Sequence, residues 1–204
     1  EAFNTCVGYE TPEDVIEHLG DVLDGELPEE IGLQCACPTI HDPTRAPDGK
    51  HVLLAWQFAP YDLVGGGPEA WTDDVKYDFL GKVFEKWGEY APNIDPNVDD
   101  NDILYSFPQT PPDTERSIQN YKEGCIFGGA FLPSQLGSNR PLPQVSNYQV
   151  PYVEDLYLTG ASTHPGGNIT GAPGYNAAKV IHQDRDVDIW WTPPDPEEML
   201  LSLD

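Results

Sequence analysis

Basic residues are scarce in this chain. Ten Lys and Arg stand against 35 Asp and Glu, giving a formal net charge of −25. Such a field repels nucleic acid and anionic lipid, so nucleic acid is excluded as a partner. Long apolar runs are missing too. None approaches the ~20 residues of a spanning helix, so no transmembrane span is expected, and no signal peptide opens the chain. The expected location is the cytoplasm, with peripheral membrane contact left open. Methionine is almost absent: the single one is Met199, and the first residue is Glu1. A translated protein starts with Met, so the chain is expected to be processed, truncated or cut from something longer. Four cysteines, Cys6, Cys35, Cys37 and Cys125, are too few and too irregularly spaced for a zinc site or a disulfide scaffold. They read as reduced, partly buried thiols. His18, His41, His51 and His182 do not cluster with acids at metal-ligand spacing, and no metal is expected.

What is present argues for a folded core. The 204 residues suffice for one domain or two small lobes. Aromatics at 11% and hydrophobics at 39% oppose disorder despite the charge. The acids are scattered along the chain. We read them as the solvating surface of a high-salt protein, where a Debye length of about 3 Å screens self-repulsion; the alternative is a surface that meets a basic partner.

Helix and strand signals alternate. Thr11-Pro12-Glu13-Asp14 predicts a helix start, with Val15, Ile16 and Leu19 as its apolar face and Gly20 or Gly25 as its end. Leu33–Ile40 and His51–Phe58 predict a strand pair around the turn-forming Pro-Asp-Gly segment. Trp71, Val75, Phe79, Val83 and Trp87 recur every four residues after the candidate cap Thr72, which predicts a core-facing helix stopped at Ala91-Pro92-Asn93. Ile103–Phe107 is a candidate short strand. Gly124–Leu132 predicts a loop and short strand near a ligand. Leu156-Tyr157-Leu158 predicts a short buried strand, and Ala172–His182 a helix. The acidic tail offers Trp190 and Trp191 as anchors. No internal repeat is present.

The chemistry-bearing stretch is Leu156–Ile181. It reads as a strand, a glycine-rich turn and a helix rich in small residues. Glycines let a backbone approach a ligand closely, and a helix start offers unpaired N–H groups and partial positive charge. Gly174, Ala177 and Ala178 allow tight packing on something flat. On these grounds the ligand is a phosphate, a carboxylate or a flavin ring.

Thr163-His164-Pro165-Gly166-Gly167, then Gly171-Ala172-Pro173-Gly174 and Asn176-Ala177-Ala178, resembles the C-terminal flavin motif of phytoene dehydrogenase-related, carotenoid desaturase-like oxidoreductases. The resemblance extends upstream through Asp42-Pro43, Ala46-Pro47-Asp48-Gly49-Lys50-His51, Ala59-Pro60-Tyr61 and Tyr90-Ala91-Pro92. It continues in Glu115-Arg116, Gly128-Gly129, Gln135-Leu136 and Arg140-Pro141. It covers at least His41 to Ile181.

The resemblance implies FAD as cofactor. It implies that Gly160, Ala161 and Ser162 approach the ribityl or pyrophosphate region. Gly166, Gly167, Asn168, Ile169, Gly171 and Gly174 complete the cofactor loop, with the amides of Gly167, Asn168 and Ile169 at the pyrimidine edge. The following helix directs its positive end at that edge. Many relatives place an acid after the strand's glycine, where Ala161 and Ser162 stand here. The dinucleotide fingerprint G-x-G-x-x-G is absent, so an N-terminal FAD-binding portion or a separate chain is expected as partner.

His164 is the candidate catalytic base, histidine being the side chain most often used for general acid–base work. Its other reading, which we prefer, is a structural residue fixing the turn before Pro165. Arg116, Tyr148 and Tyr175 are candidate substrate- or flavin-bordering residues; an ordinary ion pair is preferred for Arg116, and a tyrosine core is the alternative for the other two. Arg140 is expected to have a nearby acid partner. Asn168-Ile169-Thr170 fits a glycosylation sequon but would be inaccessible inside a flavin loop.

The expected fold class is α+β, or mixed α/β. Residues 1–150 would form the substrate lobe, 151–183 the closing segment of the FAD lobe, and 184–204 an acidic tail. The expected function is a flavin-dependent desaturase or dehydrogenase acting on an apolar isoprenoid- or lipid-like small molecule. The alternatives are a non-catalytic accessory subunit, or a carbohydrate or phosphate binder that explains none of the upstream matches.

Overall fold

The computed structural model describes residues 4–97, 99, 101–130, 132–167, 170–192 and 195. The fold is mixed α+β, as expected. The chain divides into two compact units, Glu1–Gln119 and Asn120–Asp204.

The first unit is built on a three-stranded antiparallel sheet of order β1-β2-β3, with β1 at Thr5–Val7, β2 at Leu33–Ala36 and β3 at Leu54–Trp56. Thr5 and Ala55 both pair with Cys35, so the three share one face. Ile31, Leu33, Cys35 and Phe79 form the core on that side, with Val7, Leu27, Ala55, Val83 and Trp87 against it. Phe79, Val83 and Trp87 come from α2 (Asp73–Gly88), so the four-residue aromatic stripe is core. Thr72 caps α2 by accepting a hydrogen bond from the Val75 amide at 3.3 Å. The helix ends at Gly88, where an added Cβ would lie 2.8 Å from that of Asp95.

α1 (Pro12–Asp24) begins with a full capping box. The Asp14 carboxylate accepts from the Thr11 amide at 2.8 Å, and Thr11 Oγ1 accepts from the Asp14 amide at 3.3 Å. Gly25 ends it with φ 79°. Its expected apolar face is not its buried one: Val15, Ile16 and Leu19 are exposed. The buried residue is His18, whose Nε2 donates to the Phe58 carbonyl at 2.9 Å, while Nδ1 lies 3.0 Å from the Tyr9 hydroxyl. This histidine ties α1 to the end of β3.

Three strand expectations change. The strand expected over Leu33–Ile40 stops at Ala36 because Pro38, lacking an N–H, opens a 3-10 turn over Pro38–Ile40. Of His51–Phe58 only Leu54–Trp56 pairs. Ile103–Phe107 is not a strand: it has no pairing partner among the described residues, and Leu104, Tyr105 and Phe107 are exposed. A further helix, α3 (Pro111–Ser117), follows a second capping box at Thr110 and Asp113.

The second unit is mostly turns around α4 (Ala172–Asp184). The expected buried strand Leu156–Leu158 is reduced to one bridge, Gln149 with Tyr157, and Leu156 and Leu158 stay exposed because a single bridging segment covers neither face. Gly124–Leu132 is a series of turns without a strand among its described residues. Of the two expected anchors, Trp191 packs edge-on against His182 at 5.1 Å and Tyr175 at 5.9 Å, while Trp190 is exposed.

Candidate functional site

The glycine-rich stretch after Leu158 folds as a turn closed on itself. The Thr163 amide and hydroxyl both donate to the Gly160 carbonyl, at 3.0 and 2.9 Å, and Thr163 is buried. Gly160 has φ 99° and Gly166 φ 117°, conformations that side chains rarely adopt. The His164–Pro165 peptide is cis. Buried Tyr148 donates from its hydroxyl to the His164 carbonyl at 2.7 Å and so fastens the middle of the turn.

A second loop lies against the first. A Cβ on Gly128 would sit 3.0 Å from the Ser162 nitrogen, and one on Gly167 would sit 3.1 Å from the Ile126 carbonyl oxygen. The two loops therefore meet backbone to backbone. Buried Arg140 sits at this seam. Its guanidinium donates to the carbonyl oxygens of Ala161 at 2.8 Å, Gln135 at 3.3 Å, Ala130 at 3.4 Å and also Phe127. The described hydrogen bonds of Arg140 thus run to carbonyls.

Other glycines of the segment behave differently. Among the described residues, a Cβ on Gly160, Gly171 or Gly174 would meet nothing within 4 Å. Gly171, in the left-handed region at φ 66°, is the N-cap of α4 and brings no side chain to it. The Ala172 amide is taken by Thr170 Oγ1 at 3.2 Å, and Pro173 has no N–H. The start of α4 thus presents an open, side-chain-poor surface beside a partial positive charge. That surface suits the flat flavin ring expected from the sequence, whose pyrimidine edge carries hydrogen-bond-accepting oxygen and nitrogen atoms. Asn168 and Ile169, expected at the pyrimidine edge, lie outside the described residues.

The remaining candidates separate into groups. Tyr148 and His164 come together, lining a cavity of about 480 Å³ with Ser138, Asn176, Lys179 and Gln183. His164 is exposed there. Tyr175 does not line this cavity; it lies between Trp191 and the Lys179 ammonium, which is 5.6 Å from its ring. Arg116 belongs to the first unit and is paired with Asp113 at the end of α3, while Glu115 accepts a hydrogen bond from the Tyr61 hydroxyl. Burial pushes the Asp113 carboxyl upward, but hydrogen bonds from the Thr110 backbone and Arg116 outweigh it and bring it to about 2. On the far side of α4, Tyr157 donates to Asp184 at 2.7 Å, which raises the phenol. Among the described residues no group of three His, Cys, Asp or Glu is placed to hold a metal ion, and no helix is long and apolar enough to cross a membrane.

Sequence reasoning missed the work of Arg140, Gly128 and Thr163. The signal for Arg140 was its basic side chain in an acid-rich chain, beside Pro141 and near the Gly128-Gly129 pair.

No protein-family profile matches the chain. Individual proteins do. A limonene dehydrogenase subunit of Castellaniella defragrans is 37% identical over 198 residues, covering 95% of this chain and 34% of that protein. Pyridine nucleotide-disulfide oxidoreductase domain-containing protein 2 of Mus musculus is 43% identical over 162 residues, 78% of this chain and 26% of that protein. The 4,4'-diapophytoene desaturase (4,4'-diaponeurosporene-forming) of Staphylococcus aureus strain MRSA252 is 28% identical over 155 residues, 74% of this chain and 28% of that protein. The chain spans about a third or less of the length of these curated relatives. By sequence it is a relative of proteins named as oxidoreductases: one dehydrogenase subunit, one oxidoreductase domain protein and one desaturase.

Proposed function

We propose that this chain is part of an FAD-dependent oxidoreductase of the phytoene dehydrogenase-like kind, acting on an apolar isoprenoid- or lipid-like small molecule. The observation that carries the reading is the open glycine surface of Gly171 and Gly174 at the start of α4, where among the described residues no neighbour would meet an added Cβ. The names of the relatives support a redox role over an accessory one.

When bound, FAD supplies the two-electron acceptor for a substrate C–H bond. The chain's own residues bind and orient it. Gly160, Ala161 and Ser162 face the ribityl or pyrophosphate region. Gly166, Gly167, Asn168, Ile169, Gly171 and Gly174 form the rest of the cofactor loop. The start of α4 favours negative charge on the neighbouring ring edge, by roughly 0.3–2 kcal/mol. His164, exposed in its cavity beside Tyr148, is the group on this loop able to hold the second proton. Leu54 and Trp56 lie on the sheet face turned away from the core, and with Phe58 just beyond the strand they stay 55%, 40% and 54% exposed, an apolar wall suited to such a substrate.

In this reading residues 1–150 belong to the substrate lobe, 151–183 close the FAD lobe and 184–204 are a tail. The dinucleotide site comes from an N-terminal portion or a separate chain. The acid-rich surface is adapted to high salt, and the location is cytoplasmic with peripheral membrane contact.

The test is a visible absorbance spectrum of this chain purified in high salt with and without the portion that supplies the dinucleotide site. A flavin spectrum that appears only with that portion, and bleaches on adding a terpenoid or carotenoid substrate anaerobically, is the expected result. A colourless complex that cannot be reconstituted with FAD would sink the reading.

A further inference from the structure

A positive charge removed from water is kept only where its donors are satisfied. Arg140 is 1% exposed, yet it stands in a unit made mostly of turns, where an aliphatic side chain would fill space at less cost. Its hydrogen bonds show what the guanidinium does that an aliphatic chain cannot. Nη2 donates to Ala161 O in the glycine-rich turn and to Phe127 O in the second loop. Nη1 donates to Ala130 O and Gln135 O. One planar fork therefore spans residues 127–130, 135 and 161. No backbone hydrogen bond between the 125–130 loop and the 160–167 turn is among those described. Among the described contacts, this side chain and close packing at Gly128 and Gly167 join the two segments.

We propose that Arg140 is the positioning residue of the glycine-rich turn. It fixes the Ala161 carbonyl against the Phe127 carbonyl and thereby sets where Gly160–Gly167 present their backbone to the cofactor. That it positions the turn for a flavin rests on the function proposed above; that it positions the turn at all does not. Lysine cannot replace it. A lysine ammonium is one point on a flexible stem and lacks the second nitrogen through which the guanidinium also holds Ala130 and Gln135 while Nη2 joins Phe127 to Ala161.

Arg140→Lys and Arg140→Met are compared with the unaltered protein, each with its dinucleotide-binding portion, by hydrogen exchange without FAD and by FAD titration. Gly128→Ala keeps Arg140 but forces the same seam, since its Cβ would fall 3.0 Å from the Ser162 nitrogen at a backbone φ of 66°. The expected result is selective loss of amide protection over 160–167 in all three variants, with α1 and α2 unchanged. FAD affinity falls roughly tenfold or more, the scale on which groups behind a site act. Unchanged protection of the turn in folded Arg140→Lys and Gly128→Ala overturns the proposal. So does lower thermal stability with FAD affinity intact, since Arg140 would then be structural only. An unaltered protein that takes up no FAD overturns the proposed function, and the exchange comparison still decides the role of Arg140.

Discussion

Asp113 shows how one carboxylate gathers several tasks. It caps α3, pairs with Arg116 and receives the Lys76 ammonium at 3.4 Å from α2. Its ordinary value is 3.8 and its folded value is about 2. The folded chain thus holds this proton less firmly than the unfolded one. The stabilisation is complete above 3.8 and is lost as the pH falls towards about 2. Thermal unfolding followed from pH ~5 to ~2 should show a steeper acid loss in the unaltered protein than in Asp113→Asn, which lacks this proton linkage. Equal slopes would mean that the unfolded chain keeps the same contacts. Cys35 illustrates the opposite direction. Burial, followed by the nearby Cys6, pushes its thiol up to about 11; Cys35 is a free, buried thiol, whereas Cys6 is exposed.

At the scale of elements, glycines of one motif do two jobs. Gly167 and Gly128 are small because backbone lies against them; Gly174 is small although nothing among the described residues does. Gly174→Val should therefore leave the melting temperature nearly unchanged while abolishing FAD uptake. Gly167→Ala should destabilise by about 1–3 kcal/mol, as overpacking does. A Gly174→Val variant that binds FAD normally would show that no ligand reaches the start of α4. Sequence made the helices legible because their signals are local. Thr11-Pro12-Glu13-Asp14 and the Trp71–Trp87 stripe each carry cap and periodicity within one segment. Thr110-Pro111-Pro112-Asp113 carries the same cap signature, but the seven-residue helix it opens has no apolar stripe to mark it. Strands were less legible, because pairing depends on distant partners: Ile103–Phe107 has the composition of a strand and no partner strand among the described residues. The glycine motif was legible as a site, but Arg140 was not legible as its support, since 21 residues separate it from Ala161. Separation along the chain also hid His18, whose partner Phe58 lies 40 residues away.

For the whole molecule, charge dominates. With a net charge of −25, compact states are opposed by self-repulsion that salt screens. The melting temperature should rise as KCl is raised from about 0.1 M to the molar range, where the screening length contracts from about 10 to 3 Å. A flat profile would assign the acids to a basic partner instead. Screening has a second effect at β3. That strand is paired on one side only, and it carries Leu54, Trp56 and the adjoining Phe58 on an exposed face. An unpaired edge with an apolar face is a template for another strand. Like charge holds two such edges apart at low salt, and concentrated salt removes that barrier. Heat resistance and resistance to clumping should then move in opposite directions along the same salt axis. Prepared as these 204 residues alone, the chain should have a window of ionic strength in which it is both folded and dispersed.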